Sequence, residues 1–278
     1  MASLMQVAVL GYGEVGHVLA RGLAPRVPLR VYDPAHPPSP SGGPSPSGGL
    51  PSGGPRLVAC NAEAVRGADV VIAVTTGADS LAACEESRPN LRPGALYADL
   101  STSAPGDKLR IAELVASAGA SAVDGAIMAP IPLRGLATPI LASGDDAARF
   151  ADFAGRHGMD VTPIGGSPGD AAARKLLRSV LVKGLSALVI ESRRAAEAAG
   201  LGEWFWEHLL ETVSAADERF VVRLLEGAGQ HSVRRVHEMH AATRMLESLG
   251  VPHAMTAATA ATLEEVTRTG VPPSPGRP

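Results

Sequence analysis

Gly11, Gly13 and Gly16 follow directly on the apolar run Val7–Leu10. In that order, the first glycine lets a buried strand turn sharply and the second lets backbone approach a pyrophosphate. The third lets the following helix, about Glu14 to Leu23, pack closely on a sheet. The amide groups and the positive dipole end of that helix then face a diphosphate. A second strand, Pro28 to Tyr32, ends in Asp33, near the ~20-residue spacing of an acid that accepts ribose hydroxyls. The expected binding set is Gly11, Tyr12, Gly13, Glu14, Val15, Gly16 and Asp33, in a Rossmann dinucleotide site.

Asp33 also bears on which dinucleotide is bound. A carboxylate there accepts both adenosine ribose hydroxyls and repels a 2′-phosphate, which favours NAD over NADP. The plainer alternative is a helix cap or a surface turn residue. No basic residue follows Asp33 at once, and His36 is the nearest candidate for a phosphate clamp.

The rest of the chain must hold this site. Its 278 residues suffice for two domains. A net charge of −3, a charged fraction of 19% and the lack of a basic tract argue against nucleic acid and membrane surfaces as partners. No apolar run approaches the ~20 residues of a spanning helix, and the N-terminus lacks the pattern of a signal peptide. Cys60 and Cys84 form no metal or redox pattern and read as inert buried thiols. The expectation is a soluble, cytoplasmic protein.

Between Pro37 and Pro55 the chain repeats proline, serine and glycine, as PSPSGG twice and then PSGG. Nothing apolar is available to bury, so a disordered loop is expected, inserted beside the adenosine end of the site. The strand and helix alternation then resumes. Asp69–Val74 reads as a strand that delivers Val74, Thr75 and Thr76 to the carboxyl edge, where ligands sit in open α/β sheets. Ala95–Leu100 is the next strand, followed by Ser101, Thr102 and a helix of about Gly106 to Ala118. Ser121–Asp124, Ile140–Ala142 and Met159–Val161 are further short strands. The fold class is α/β, with a doubly wound parallel sheet over residues 1–166 and an all-α domain over 167–278.

The helical part opens with an unusually long helix, about Asp170 to Ala199, against a mean near ~12 residues. Leu176, Val180, Gly184 and Leu188 form one i,i+4 stripe, and Leu177, Leu181, Leu185 and Val189 the adjacent one. A broad buried face follows from that pattern, and with it a homodimer. Trp204 and Trp206 read as interface or core anchors. The tail from Val271 should fray.

The glycine triad, the stretch Asp99-Leu-Ser-Thr-Ser-Ala-Pro105 and Lys175 early in the long helix together resemble the β-hydroxyacid dehydrogenases, relatives of 6-phosphogluconate dehydrogenase. The resemblance spans most of the chain. Lys175 and Lys183 in RKLLRSVLVKG and the later HSVRRVHEM look closest to a branch with its own helical C-terminal domain. The resemblance implies a Rossmann domain, a helical domain, a homodimer, and hydride transfer between nicotinamide and a small-molecule substrate.

It also assigns proton transfer to Lys175. A lysine depressed by burial can give and take a proton near neutral pH. The alternative is a surface lysine with a buried stem. Lys175, Ser179 and Lys183 fall at i, i+4 and i+8 on one stripe, which is how a helix lines a cleft. Ser179 stands where the family usually has asparagine. Ser101 and Thr102 are placed to bond the nicotinamide ribose or the substrate, or to cap the helix that follows. Met128, Ala129 and Pro130 replace the serine and two glycines with which the family usually holds a substrate carboxylate. Arg234 and Arg235 are candidate replacements for that anchor, against a solvated helix face. His231, His237 and His240 do not share one helix face, so no metal is expected.

Three functions follow from this reading. The first is an NAD(P)-dependent oxidoreductase acting on a small hydroxyacid-like or keto substrate. The second is an imine reductase, suggested by the apolar Met128 turn. The third is a non-catalytic dinucleotide sensor, which the fold by itself allows.

Overall fold

The computed structural model describes residues 5–38 and 54–272. The proline, serine and glycine segment from Pro37 to Pro55 lies, apart from its ends, outside the described residues, as does most of the tail from Val271. The chain forms two compact units, residues 1–178 and 179–278.

The first unit is built on one sheet of eight strands among the described residues, in the order β3-β2-β1-β4-β5-β6-β7-β8. The strands are β1 (Val7–Leu10), β2 (Leu29–Tyr32), β3 (Arg56–Leu57), β4 (Val70–Ala73), β5 (Leu96–Asp99), β6 (Ser121–Ile127), β7 (Ile140–Ser143) and β8 (Val161–Pro163). The helices between them are α1 (Glu14–Leu23), α2 (Asn61–Val65), α3 (Ser80–Ser87), α4 (Pro105–Ser117), the four-residue α5 (Ile131–Arg134) and α6 (Ala147–Arg156). β1 and β4 are buried along their whole length, as expected of parallel strands covered on both faces.

Alternation along β1 divides the core. Val7 and Val9 pack with Leu19, Leu23 and Phe150 on one face, whereas Ala8 and Leu10 pack with Ile111, Val115 and Tyr97 on the other. Pairing from β3 to β6 is parallel, but β7 runs antiparallel to β6 with Ile127 opposite Ile140. The expected all-parallel sheet is thus only mostly parallel. Between β6 and β7 the chain has only α5 and a short 3-10 turn, and such a connection suits an antiparallel return better than a crossover. The last strand is displaced from the expected Met159–Val161 to β8, because Met159 is drawn into the core beside Phe150 and Phe153.

Helix α7 (Asp170–Ala198) begins in the first unit and ends in the second. The second unit continues with α8 (Gly202–Ser214), α9 (Glu218–Gln230), α10 (Ser232–Ser248) and α11 (Ala254–Thr269). Ala195, Leu246 and Val251 form its small core. The buried Glu191 carboxylate reaches the start of α11, accepting from the Met255 amide at 2.8 Å, the Thr256 amide at 2.7 Å and the Thr256 hydroxyl at 2.6 Å. Burial pushes the Glu191 carboxyl up, but the Thr256 and Met255 donors outweigh it and hold the group below its usual range.

The expectation that both cysteines are buried fails at Cys60, while apolar residues expected at an interface are open in the single chain. The broad apolar face of α7 is open in the single chain: Leu177 is 71%, Val180 74% and Leu181 71% exposed. The periodicity correctly marks an apolar face, but among the described residues the chain supplies no element to cover it. Trp204 and Trp206 are likewise exposed, with the Arg193 guanidinium 5.2 Å from the Trp206 ring centre. Cys84 is buried, which pushes its thiol up to about 12, whereas Cys60 is exposed just before α2. No helix among the described residues is long and apolar enough to cross a membrane.

Candidate functional site

The glycine turn between β1 and α1 separates what the protein needs from what a ligand would need. Gly11 has φ +99°, and a Cβ there would lie 2.7 Å from the Val74 carbonyl oxygen. A Cβ at Gly16 would lie 2.1 Å from the Gly11 carbonyl oxygen. Both glycines are therefore required by the chain's own packing. Gly13 differs: its φ is −73°, and a Cβ there would meet nothing within 4 Å. The space beside Gly13 is an open cradle at the amino end of a helix, and it fits a pyrophosphate held by backbone amides.

Asp33 stands next to this cradle. One of its oxygens accepts the Tyr12 amide at 2.6 Å, and the other accepts the Ala35 amide at 2.7 Å with His36 Nδ1 at 3.4 Å. Burial raises the Asp33 carboxyl, but the Tyr12 and Ala35 amides and then His36 bring it below the ordinary carboxylate range. Tyr12 stacks on His17 with ring centres 3.7 Å apart, and His36 meets both rings edge-on. The turn, the acid and this ring cluster are one structure.

At the carboxyl edge, Val74 directly follows β4, and Thr75 Oγ1 lies 3.0 Å from Ser101 Oγ, which joins the loops after β4 and β5. Gly77 permits close approach there, since a Cβ would sit 2.0 Å from the Thr102 carbonyl oxygen. Thr76 is occupied locally with the Asp79 carboxylate at 2.5 Å. After β6, the Met128 amide is spent on the Pro139 carbonyl at 2.8 Å, and Pro130 has no amide to give. That turn offers few donors to an anion.

Beneath this edge lies a charge cluster that sequence reasoning missed. Lys108, on α4, is 2% exposed, and its Nζ donates to the Asp99 carbonyl at 2.9 Å, Asp99 Oδ2 at 2.9 Å and the Ser101 carbonyl at 2.8 Å. Asp124 Oδ1 is 3.3 Å away but receives no hydrogen bond, because the ammonium's three N–H groups are already used. The other Asp124 oxygen accepts the Gly169 amide at 2.9 Å, the Ala172 amide at 3.0 Å and the Ser143 hydroxyl at 3.1 Å. Ser143 Oγ in turn accepts the Ala171 amide at 3.1 Å. One ammonium and the amino end of a long helix together balance two buried carboxylates. Removing one partner of such a pair costs about 3–5 kcal/mol. The available signal was Lys108 falling in register with Ile111 and Val115 on the buried face of α4.

The structure thus brings Tyr12 to Asp33 and Thr75 to Ser101. Lys175 is half-buried in the first unit, on the helix whose first turn docks on Asp124. Ser179, half-buried, and Lys183, exposed, lie further along that helix in the second unit. Arg234, also in the second unit, is exposed and paired with Glu238. His240 pairs with Glu264 at 3.0 Å, and no metal-binding group is found among the described residues.

A Rossmann sheet with an open glycine turn, followed by an all-α part, defines the fold class. Residues 196–266 match a domain of unknown function (DUF1932). A conserved hypothetical protein from Sinorhizobium meliloti is 31% identical, over 95% of this chain and 88% of its own, with a TM-score of 0.59. The conserved protein MTH1747, described as structurally similar to 3-hydroxyacid dehydrogenases, is 27% identical over 95% and 97%, with a TM-score of 0.58. An imine reductase from a Pseudomonas species shares the fold at 21% identity, over 96% and 95%, with a TM-score of 0.71. A search of curated proteins found no match. The chain belongs to one family with the Sinorhizobium meliloti protein, shares the fold of the imine reductases, and carries the DUF1932 match in its C-terminal part.

Proposed function

We propose that the protein is an NAD(P)-dependent oxidoreductase acting on a small hydroxyacid-like or keto substrate, with Lys175 as its proton-transfer group. The observation that carries this is the cradle at Gly13, open where Gly11 and Gly16 are walled by backbone. A bound nicotinamide supplies the hydride chemistry. The chain's own part is to hold the diphosphate at the glycine turn, receive the adenosine ribose at Asp33, and present Ser101 and Thr102 at the sheet edge. Lys175 takes the hydroxyl proton as a carbonyl forms, or returns it in the reverse direction. Ser179, one turn after Lys175, is assigned a catalytic part with it, and Met128, Lys183 and Arg234 are assigned to the substrate.

Asp33 favours NAD. Its carboxylate, held ionised by the Tyr12 and Ala35 amides, disfavours a 2′-phosphate. The exposed apolar stripe of α7 supports a homodimer, since an uncovered face of that kind is unusual in a monomer and a symmetric pair would cover it.

A second reading, reduction of a C=N bond, is supported by the turn after β6, where the Met128 amide is already used and Pro130 has none. A neutral or cationic substrate suits that wall better than a carboxylate.

Fluorescence titration with NADH and NADPH, followed by turnover on 3-hydroxyacids with NAD and on a cyclic imine with NADPH, tests both readings. Hydroxyacid oxidation lost in Lys175→Met supports the first. Imine reduction that persists in that variant supports the second. Failure to bind either dinucleotide overturns both.

A further inference from the structure

Two segments carry the proposed chemistry in the first unit: the loop after β5 with Ser101 and Thr102, and the first turns of α7 with Lys175. Their backbones are joined through one buried set of groups. Lys108 Nζ holds the carbonyls of Asp99 and Ser101 at 2.9 and 2.8 Å, which fixes the β5 loop. The same nitrogen lies 3.3 Å from Asp124 Oδ1, and the opposite Asp124 oxygen holds the amides of Gly169, just before α7, and of Ala172 in its first turn. Asp99 and Asp124 are register partners on adjacent parallel strands, so the ammonium spans from one carboxylate to the next.

We infer that Lys108 and Asp124 are positioning residues that lock the Ser101–Thr102 loop to the helix bearing Lys175, so that the two move as one body. The inference deepens the proposed mechanism and rests on it only for its consequence in turnover.

Charge explains why the coupling runs both ways. Asp124 alone would be supplied by two amides at the start of α7 and a hydroxyl on one oxygen and bare on the other. Lys108 balances the bare oxygen, and two carboxylates hold Lys108. Loss of the ammonium leaves two buried carboxylates in adjacent strands facing each other. The strain then falls on whichever backbone can yield, and both site segments hang on that pair. Neither Ser101 nor Lys175 needs to change for their separation to change.

Amide hydrogen exchange on the full-length protein tests the coupling without substrate. In the wild type, amides in 100–104 and 169–173 should open in one event, with the same opening free energy and denaturant dependence. Lys108→Met contacts no α7 amide, yet it should lower protection in 169–173 by ~10-fold, in step with 100–104. Asp124→Asn, nearly isosteric and still an acceptor for Gly169 and Ala172, should loosen 100–104 reciprocally. If Lys108→Met does not fold, Asp124→Asn and the wild-type openings decide. Separate openings, or loosening confined to the segment each side chain touches, overturn the inference.

Turnover supplies a readout that a merely structural role would leave additive. Lys108→Met should lower kcat by ~10-fold, and should add little in a Lys175→Ala background. An equal loss in both backgrounds overturns action through Lys175. Should Lys175→Ala itself leave turnover intact, the catalytic reading of Lys175 fails, and the exchange data still decide the coupling.

Discussion

The Tyr12 amide donates to the Asp33 carboxylate at 2.6 Å, across a separation of 21 residues. The acid at the end of β2 is thereby part of the glycine turn rather than a detached surface group. Asp33→Ala should raise the Kd for NADH by about 10-fold, near 1.4 kcal/mol, and relax discrimination against NADPH. Paired fluorescence titrations measure both effects. A wild type that binds NADPH much the more tightly would show that His36, not Asp33, governs the choice.

The glycines of the turn should separate by phenotype. Gly13→Ala keeps an ordinary φ and meets open space, so its melting temperature should match the wild type while NADH affinity falls at least ~10-fold. Gly16→Ala drives a methyl into the Gly11 carbonyl, and should cost about 3 kcal/mol or more of stability. Denaturant unfolding with dinucleotide titration distinguishes the two.

Lys175→Met should cut turnover by ~10²–10⁴-fold, the range for loss of a general acid or base. Dinucleotide affinity should barely change, because the glycine turn and Asp33 are intact. The exposed Lys183 should tolerate alanine far better. The wild-type pH–rate profile should carry a limb that the Lys175 variant lacks.

The dimer prediction is tested at Leu181, which is exposed in the single chain. Leu181→Glu places a charge on the apolar stripe of α7 and should shift sedimentation from dimer to monomer at micromolar concentration. A wild type that sediments as a monomer rejects the dimer outright.

Glu191 predicts a pH effect on stability. Its carboxyl lies below the unfolded range in the folded protein, so its stabilising contribution is complete above the unfolded pKa. It is lost as pH falls through the lower folded pKa. Glu191→Gln should remove part of that acid sensitivity. Glu191→Ala, which strips the Met255 and Thr256 amides of their acceptor, should cost about 2 kcal/mol at neutral pH. Urea unfolding at several pH values checks the sign.

The glycine turn and the strands around it were legible because their signals are local: an apolar run, three glycines at fixed steps, an acid one strand later. Lys108 was not, since its carboxylate partners lie 9 residues back and 16 ahead on two other elements. Nothing in a local pattern pairs them. The reversal of β7 was missed for a related reason, as period-2 alternation is the same in either direction. The α7 stripe was legible as apolar, but periodicity names a face and not the neighbour that covers it.

The docking of Asp124 on the first turn of α7 bears on how the protein emerges from the ribosome. Every strand of the sheet has been synthesised by Pro163, yet Asp124 still lacks the amides of Gly169 and Ala172. Until those residues clear the exit tunnel, the nascent sheet carries an excess negative charge in its interior. The N-terminal unit should therefore become resistant to protease only once the chain has been extended well past Ala172, into a helix whose remainder belongs to the next unit.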